Sequence, residues 1–206
     1  MLAGKKPRLP LQYQEVEFLY SDGSPFIQTA LKLTQEHAVK IKFTLSIIDA
    51  QFGIFGSRSS AISNNFSASY NANERNRLFV DFGTYSITRV NLYNSEQNTP
   101  YIIIVDKNKR EICADDGTVI ARNTTPFNES FETPSEALLF RTYGGFTTNI
   151  LVGKVYYYEV YSKGILIAQL IPCYRKSDNK PGMYDLVNNQ FYTNAGTGEF
   201  IVGPNV

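Results

Sequence analysis

Ala38-Val-Lys-Ile-Lys-Phe-Thr-Leu-Ser-Ile-Ile48 decides the fold class. In an extended chain Val39, Ile41, Phe43, Leu45 and Ile47 fall on one side. Lys40, Lys42, Thr44 and Ser46 fall on the other. A period of two is the repeat of a strand with one face on a core and one in water. The same reading extends outward. Val16, Phe18 and Tyr20 alternate with Glu15 and Glu17, and Leu78, Val80 and Phe82 repeat the pattern. Tyr101-Ile-Ile-Ile-Val105 is an unbroken apolar run, rich in β-branched residues, and predicts a strand covered on both faces.

Turn chemistry separates these runs. Asp115-Asp116-Gly117 lies between Ile112-Cys-Ala and Thr118-Val-Ile-Ala, a strong hairpin signal. Ser162-Lys163-Gly164 joins Val155–Tyr161 to Ile165–Ile171 in the same way. Asn188-Asn189 separates Met183–Val187 from Gln190–Tyr192, and asparagine tolerates the left-handed backbone of such a turn. Helical signals are scarce. Glu129–Leu139 has room for one helical turn, which Pro134 limits. Many short strands with frequent turns predict an all-β fold, a two-sheet antiparallel β-sandwich.

The 206 residues suit one such domain, and 43% hydrophobic against 19% charged residues describes a chain with a packed core rather than a disordered one. We read residues 1–10 as a flexible N-terminal arm and 11–206 as a single sandwich. The opening is positively charged and contains two prolines, with no apolar segment behind it, so it does not read as a secretory signal. Lys5, Lys6 and Arg8 would suit a basic contact to a neighbouring subunit. A net charge of +1 argues against nucleic acid, whose binding rests on surplus Lys and Arg, and against an anionic membrane surface. No apolar stretch approaches the roughly 20 residues of a spanning helix.

The single histidine, His37, sits beside Glu36 at a polar strand entrance and reads as a solvated residue rather than a catalytic base. No Gly-x-Ser-x-Gly elbow is present. Glu15 and Glu17 alternate, as glycosidase carboxylates do on one strand, but no wider catalytic pattern surrounds them. Gly144-Gly145 and Gly196-Thr-Gly198 lack the partners of a phosphate loop and read as tight turns. Asp115-Asp116 offers oxygen ligands for calcium, with a bare hairpin turn as the simpler reading. Cys113 and Cys173 have no zinc spacing; they read as buried free thiols, a single bridge being the alternative. The expectation is a non-enzyme with no cofactor and no metal.

Aromatics are the abundant resource: 14 Tyr and 14 Phe, with no Trp. Tyr gives rigid, amphipathic contact area that suits a binding face, while the missing Trp weighs against carbohydrate, because indole is a favoured sugar-stacking platform. In Tyr156-Tyr157-Tyr158, strand alternation places Tyr156, Tyr158 and Val160 on one side and Tyr157, Glu159 and Tyr161 on the other. One set should fill the core and the other line an accessible face. Polar groups sit beside aromatics and turns in Gly56-Ser-Arg58-Ser-Ser60, Asp81-Phe-Gly-Thr-Tyr85 and Arg141-Thr-Tyr143-Gly-Gly145. Candidate binding residues are therefore Arg58, Asp81, Tyr85, Arg141, Tyr143 and Tyr157. A solvated sheet edge accounts for the same groupings.

The C-terminal stretch Ile171-Pro-Cys-Tyr-Arg-Lys-Ser-Asp-Asn-Lys-Pro-Gly-Met-Tyr-Asp-Leu-Val-Asn-Asn-Gln-Phe-Tyr-Thr-Asn-Ala-Gly-Thr-Gly-Glu-Phe200 resembles the ending of a family of concanavalin A-like (laminin-G-like) domains. These occur in phage and prophage structural proteins and in surface proteins of gut bacteria. Its pattern runs Ile-Pro-Cys-x-Arg-x-x-Asp, then Gly-x-Tyr-Asp-Leu-Val-Asn-Gly-x-Phe-Tyr, then Asn-x-Gly-Thr-Gly-x-Phe. Tyr13–Thr29, Phe52–Arg58 and Gly153–Gly164 are similar to other parts of the family pattern. Two departures occur: Asn189 stands where a turn glycine is usual, and Pro181 precedes Gly182. The resemblance implies a jelly roll and a place on a virion, tail or capsid, or on a bacterial cell surface. It fixes no activity, because fold does not fix function. The expected role is multicopy attachment to bacterial surface polysaccharide. The alternatives are a structural or decoration module that binds other virion proteins, and a cell-surface adhesion domain.

Overall fold

The computed structural model describes residues 9–59, 63–144 and 149–206. Lys5, Lys6 and Arg8 of the expected arm, Ser60, and Gly145 lie outside them. In chain order the strands are β1 (Tyr13–Glu15), β2 (Leu19–Asp22), β3 (Ile27–Thr34), β4 (His37–Leu45), β5 (Gln51–Ser57), β6 (Asn65–Asn71), β7 (Arg77–Gly83), β8 (Val90–Leu92), β9 (Pro100–Val105), β10 (Arg110–Cys113), β11 (Val119–Asn123), β12 (Glu132–Leu139), β13 (Val152–Ser162), β14 (Ile165–Arg175), β15 (Lys180–Asp185), β16 (Gln190–Thr193) and β17 (Ile201–Val202). One helical turn, α1 (Tyr85–Thr88), and one 3-10 turn at Ala72–Glu74 complete the set.

The strands form two antiparallel sheets. The larger has 11 strands along the path β11-β10-β9-β4-β13-β14-β15-β16, with β1, β2 and β17 attached beside it. The smaller has six, in the order β3-β12-β5-β6-β7-β8. The all-β sandwich predicted by period-two patterning is the observed fold.

Register explains which side chains meet. Across the six-stranded sheet Ile27, Leu139, Phe55, Ala68, Val80 and Val90 are successive partners, and all are buried in the core. Val39, Ile41 and Phe43 of β4 face them from the other sheet, with Tyr158 of β13 in ring contact with Phe55 at 5.9 Å. Fully burying an aliphatic or aromatic side chain contributes about 1.5–3 kcal/mol. The rung next to this one reads Gln28, Leu138, Gly56, Ser67, Asp81 and points the other way, onto the outer face.

The hairpins form at the predicted turns. Lys163 and Gly164 both have positive φ (50° and 80°), as a two-residue hairpin turn requires. Asn189 has φ 53°, so it takes the left-handed role of the turn glycine it replaces. Asp185, almost fully buried, accepts hydrogen bonds from the backbone N–H groups of Gln169, Val187 and Asn188, fixing the turn before β16. Asn194 accepts from the N–H groups of Phe26 and Gly196 and donates to the Thr197 and Gly198 carbonyls. Side chains of the family-like ending are thus structural ties.

A β-bulge between Val155 and Tyr157 adds one residue to β13 relative to β4, so Tyr156 leaves the inward set. Val155, Tyr158 and Val160 face the core, while Tyr156 and Tyr157 are both half-exposed. In the N-terminal run Val16 and Leu19 are buried, not Phe18 and Tyr20. The period breaks there because the chain leaves its pairing with β14 and joins β13. Tyr101, Ile103 and Val105 are buried, but Ile102 and Ile104 are only half-buried, so that strand is covered on one face. Glu129–Leu139 forms no helical turn. Its C-terminal part is β12, whose pairing with β3 shifts register around Pro134. Leu9 is buried against Ile171, Cys173 and Tyr184, so packing begins inside the span expected to be a free arm. Cys113 and Cys173 are free and buried, and burial pushes the Cys173 thiol up to about 12.

Candidate functional site

The outer face of the six-stranded sheet gathers five of the six candidate residues. Alternation in Arg77-Leu-Phe-Val-Asp81 sends Leu78 and Val80 into the core and leaves Arg77, Phe79 and Asp81 outside. This outer face is nevertheless withdrawn from water. Ser67 and Ser69 of β6 are buried, and Asp81 is 0% exposed. A loop over residues 141–144 lies on it. Its closeness rests on Gly53, where a Cβ would come within 2.3 Å of the Thr142 nitrogen. The Arg58 N–H donates to the Tyr143 carbonyl at 2.8 Å, and the Tyr143 N–H donates to the Gly56 carbonyl at 3.2 Å.

Two clefts open on this face, and the loop lines the first of them. The first is lined by Phe26, Gln28, Glu136, Leu138, Arg141 and Tyr143 and has a volume of about 380 Å³. The Arg141 guanidinium lies 5.1 Å from the Phe26 ring centre. Gln28 Nε2 donates to Glu136 Oε2 at 3.0 Å. Tyr143 is 52% exposed, which leaves its ring open to a ligand. A ring, an amide, a carboxylate and a guanidinium in one concave place are the groups that hold a polar ligand with flat apolar patches.

The second cleft, also about 380 Å³, is lined by Arg58, Arg77, Phe79, Tyr85, Arg89 and neighbours on β5 and β6. Asp81 is its anchor. Arg89 binds it in a bidentate fork, Nε to Oδ1 at 2.5 Å and Nη2 to Oδ2 at 2.8 Å. Arg58 reaches the same carboxylate through Nη2 at 3.2 Å. The guanidinium carbons of Arg58, Arg77 and Arg89 lie 5.8, 4.6 and 4.6 Å from the Phe79 ring centre, and Arg89 is 4.5 Å from that of Tyr85. Burial lowers the Arg58 pKa from its ordinary value; Asp81 opposes this, and the charges of Arg89 and Arg77 add to it. Arg77 and Arg89 were not among the sequence candidates. The alternation around Leu78, Val80 and Phe82 carried the signal for Arg77. Arg89 is brought back to the strand by α1, which the sequence did not announce.

Tyr157 stands apart. It pairs in register with Lys42 on the outer face of the large sheet, across the core from the two clefts, so it belongs to neither. Burial, with Glu159 nearby, pushes its phenol up to about 12. The Lys40 ammonium lies 5.5 Å from its ring centre.

The remaining candidates have local partners. His37 is half-buried rather than solvated, and its Nδ1 accepts the Thr34 N–H at 2.9 Å, closing the β3–β4 turn. Asp115 pairs with Lys42 at 2.5 Å, and Asp116 accepts the Thr118 N–H within its own hairpin. Glu15 closes β1, and Glu17 lies beyond it, exposed, so the two share no strand. Among the described residues no cluster of three or more His, Cys, Asp or Glu could hold a metal ion. No described helix is long and apolar enough to cross a membrane.

A second buried arginine lies elsewhere. Arg110 is 0% exposed and donates to the carbonyls of Thr88 (3.1 Å), Lys107 (3.4 Å) and Thr125 (2.7 Å) and to Asn123 Oδ1 (3.0 Å). It clamps α1, the turn after β9 and the end of β11.

No protein-family model matches the chain, and no curated protein matches it.

Proposed function

We propose that this chain is a non-catalytic attachment domain of a phage virion, on tail or capsid, that holds a bacterial surface glycan on the outer face of its six-stranded sheet. The observation that carries this is the gathering on one face of Arg141 and Tyr143 at one cleft and of Arg58 and Tyr85 at another, with Asp81 holding Arg58 beneath the second. The virion setting rests on the resemblance of Ile171–Phe200 to phage structural domains. In the first cleft the open Tyr143 ring would stack on a sugar face, and Arg141, Gln28 and Glu136 would bind its hydroxyls. Affinity per copy would be weak and multiplied by the number of copies on the particle.

The test is a bacterial glycan array probed with the chain, followed by calorimetry on the glycans retained. The expected result is binding that falls at least tenfold in Tyr143→Ala and in Arg141→Ala. If no bacterial polysaccharide binds at millimolar site concentration, the attachment reading fails.

One observation favours a second reading, docking onto another virion protein. The terminal strand β11 of the large sheet exposes Val119 and Ile120, and α1 beside it exposes Ile87. An unpaired strand edge with apolar side chains suits strand addition by a protein partner. Charged substitutions at Val119 and Ile120 that abolish particle incorporation, with glycan binding intact, would assign the chain to that role.

A further inference from the structure

The second cleft has a property that its internal ion pairs do not satisfy. Three guanidinium groups, Arg58, Arg77 and Arg89, face two carboxylates, Asp81 and Glu74, leaving an excess of one positive charge in a largely buried place. Asp81 is committed to the Arg89 fork and to Arg58 Nη2. Glu74 pairs with Arg77 Nη2 at 2.8 Å. After these contacts, Arg58 Nε, Arg77 Nε and Ser67 Oγ are all buried and have no hydrogen-bond partner among the described residues. Arg58 as a whole is only 5% exposed. Ser67 is the register partner of Asp81, so all three unmet groups belong to the same outer face.

Buried donors are nearly always paired, and several unpaired ones in one cleft are unusual for a site with a purely structural role. The stacking of all three guanidiniums around the Phe79 ring holds them in place, so ordering them costs a ligand little. An acceptor that carries negative charge would meet the free donors and offset the excess cation. Guanidinium groups match carboxylate and phosphate oxygens in geometry as well as charge. The cleft, at about 380 Å³, lies near the lower end of ligand pockets, which start at about 300 Å³, and suits one sugar-sized unit.

We propose that the cleft lined by Arg58, Arg77 and Arg89 is an oxyanion subsite, taking the carboxylate or phosphate of an acidic sugar residue. This rests on the glycan reading above and narrows it to acidic polysaccharides.

The experiment titrates the chain with glucuronate, glucose 6-phosphate, glucose and inorganic phosphate, and separately with an acidic and a neutral bacterial polysaccharide. Wild type and Arg77→Gln are compared, because Arg77 is the least enclosed of the unpaired pair and its loss leaves Asp81 held by Arg58 and Arg89. Expected is at least tenfold tighter binding of glucuronate or glucose 6-phosphate than of glucose, weakened at least tenfold by Arg77→Gln and by raised salt. Preference for glucuronate assigns a carboxylate, and preference for glucose 6-phosphate a phosphate. Equal affinity for charged and neutral sugars, or binding indifferent to Arg77→Gln, overturns the subsite while leaving glycan attachment standing. Binding of the small anions without any polysaccharide keeps the subsite and removes the glycan reading. A thermal-shift measurement confirms that Arg77→Gln is folded, and Arg77→Lys, which keeps the charge without the fork, should restore only part of the affinity.

Discussion

Arg110 and Arg58 are both shut away from water, yet their surroundings differ. Arg110 donates to three backbone carbonyls and one amide oxygen, and the nearby Asp106 carboxylate favours its charge without a direct ion pair being needed to hold it. Arg58 shares a single carboxylate with Arg89, lies beside a third arginine, and keeps its Nε without a partner. The first arrangement is complete in itself and ties chain segments together. The second is incomplete and opens onto a cleft. Burial alone therefore does not separate the two arginines; the nitrogen left without a partner does.

The comparison breaks most sharply at Asp81. Asp81→Ala should cost about 3–5 kcal/mol in chemical denaturation, because Arg58 and Arg89 would then lie together beside Arg77 without the carboxylate that pairs them. Arg110→Met should cost about 3 kcal/mol, since it leaves buried carbonyls without donors, yet should leave binding at the second cleft unchanged. A loss of binding in Arg110→Met at a temperature where it is folded would erase the distinction. Arg77→Gln should lose only about 1 kcal/mol, because the carboxylate it releases, Glu74, is half-exposed and can be solvated. Its effect should appear in ligand affinity instead.

The smallest effect concerns pH. Guanidinium groups stay charged across the neutral range, so neither arginine site should make stability depend on mild acid. His37 should. Burial holds its pKa below the ordinary 6.5, with Glu36 opposing. The folded state thus binds this proton more weakly than the unfolded chain. The stability contributed is whole above pH 6.5 and declines as pH falls from there toward the lowered folded value. His37→Gln should flatten that slope in urea titrations at neutral and mildly acidic pH. A slope that persists would place the titrating group elsewhere.

Much of this was legible from residue order. The alternation in Ala38–Leu45 and around Leu78, Val80 and Phe82 gave the strands and their inward faces, and Arg58 and Tyr85 line one cleft with Asp81 buried beneath it. Tyr156 was misplaced because a bulge adds a residue without changing local composition. Arg110 went unnoticed because Lys107-Asn-Lys-Arg110 looks like a solvated charged turn, and its acceptors are backbone carbonyls that no sequence pattern displays. Arg89 was missed because a single helical turn sets its approach to Asp81. Tyr157 was grouped with the others by chemistry alone, and the sheet it sits on decided otherwise.

The ties made by Asn194 and by β17 bear on how the chain is made. β1 pairs with β14, β2 lies between β13 and β17, and the Phe26 amide is held by a side chain 168 residues downstream. During synthesis from the N-terminus β1 and β2 emerge before any of their partners and must wait, unpaired, until β13, β14 and β17 follow. Contacts this distant in sequence make for slow closure, and waiting strand edges invite the wrong neighbour. A nascent chain stalled before residue 194 should therefore be held by chaperones, and released from them once the C-terminal segment is supplied.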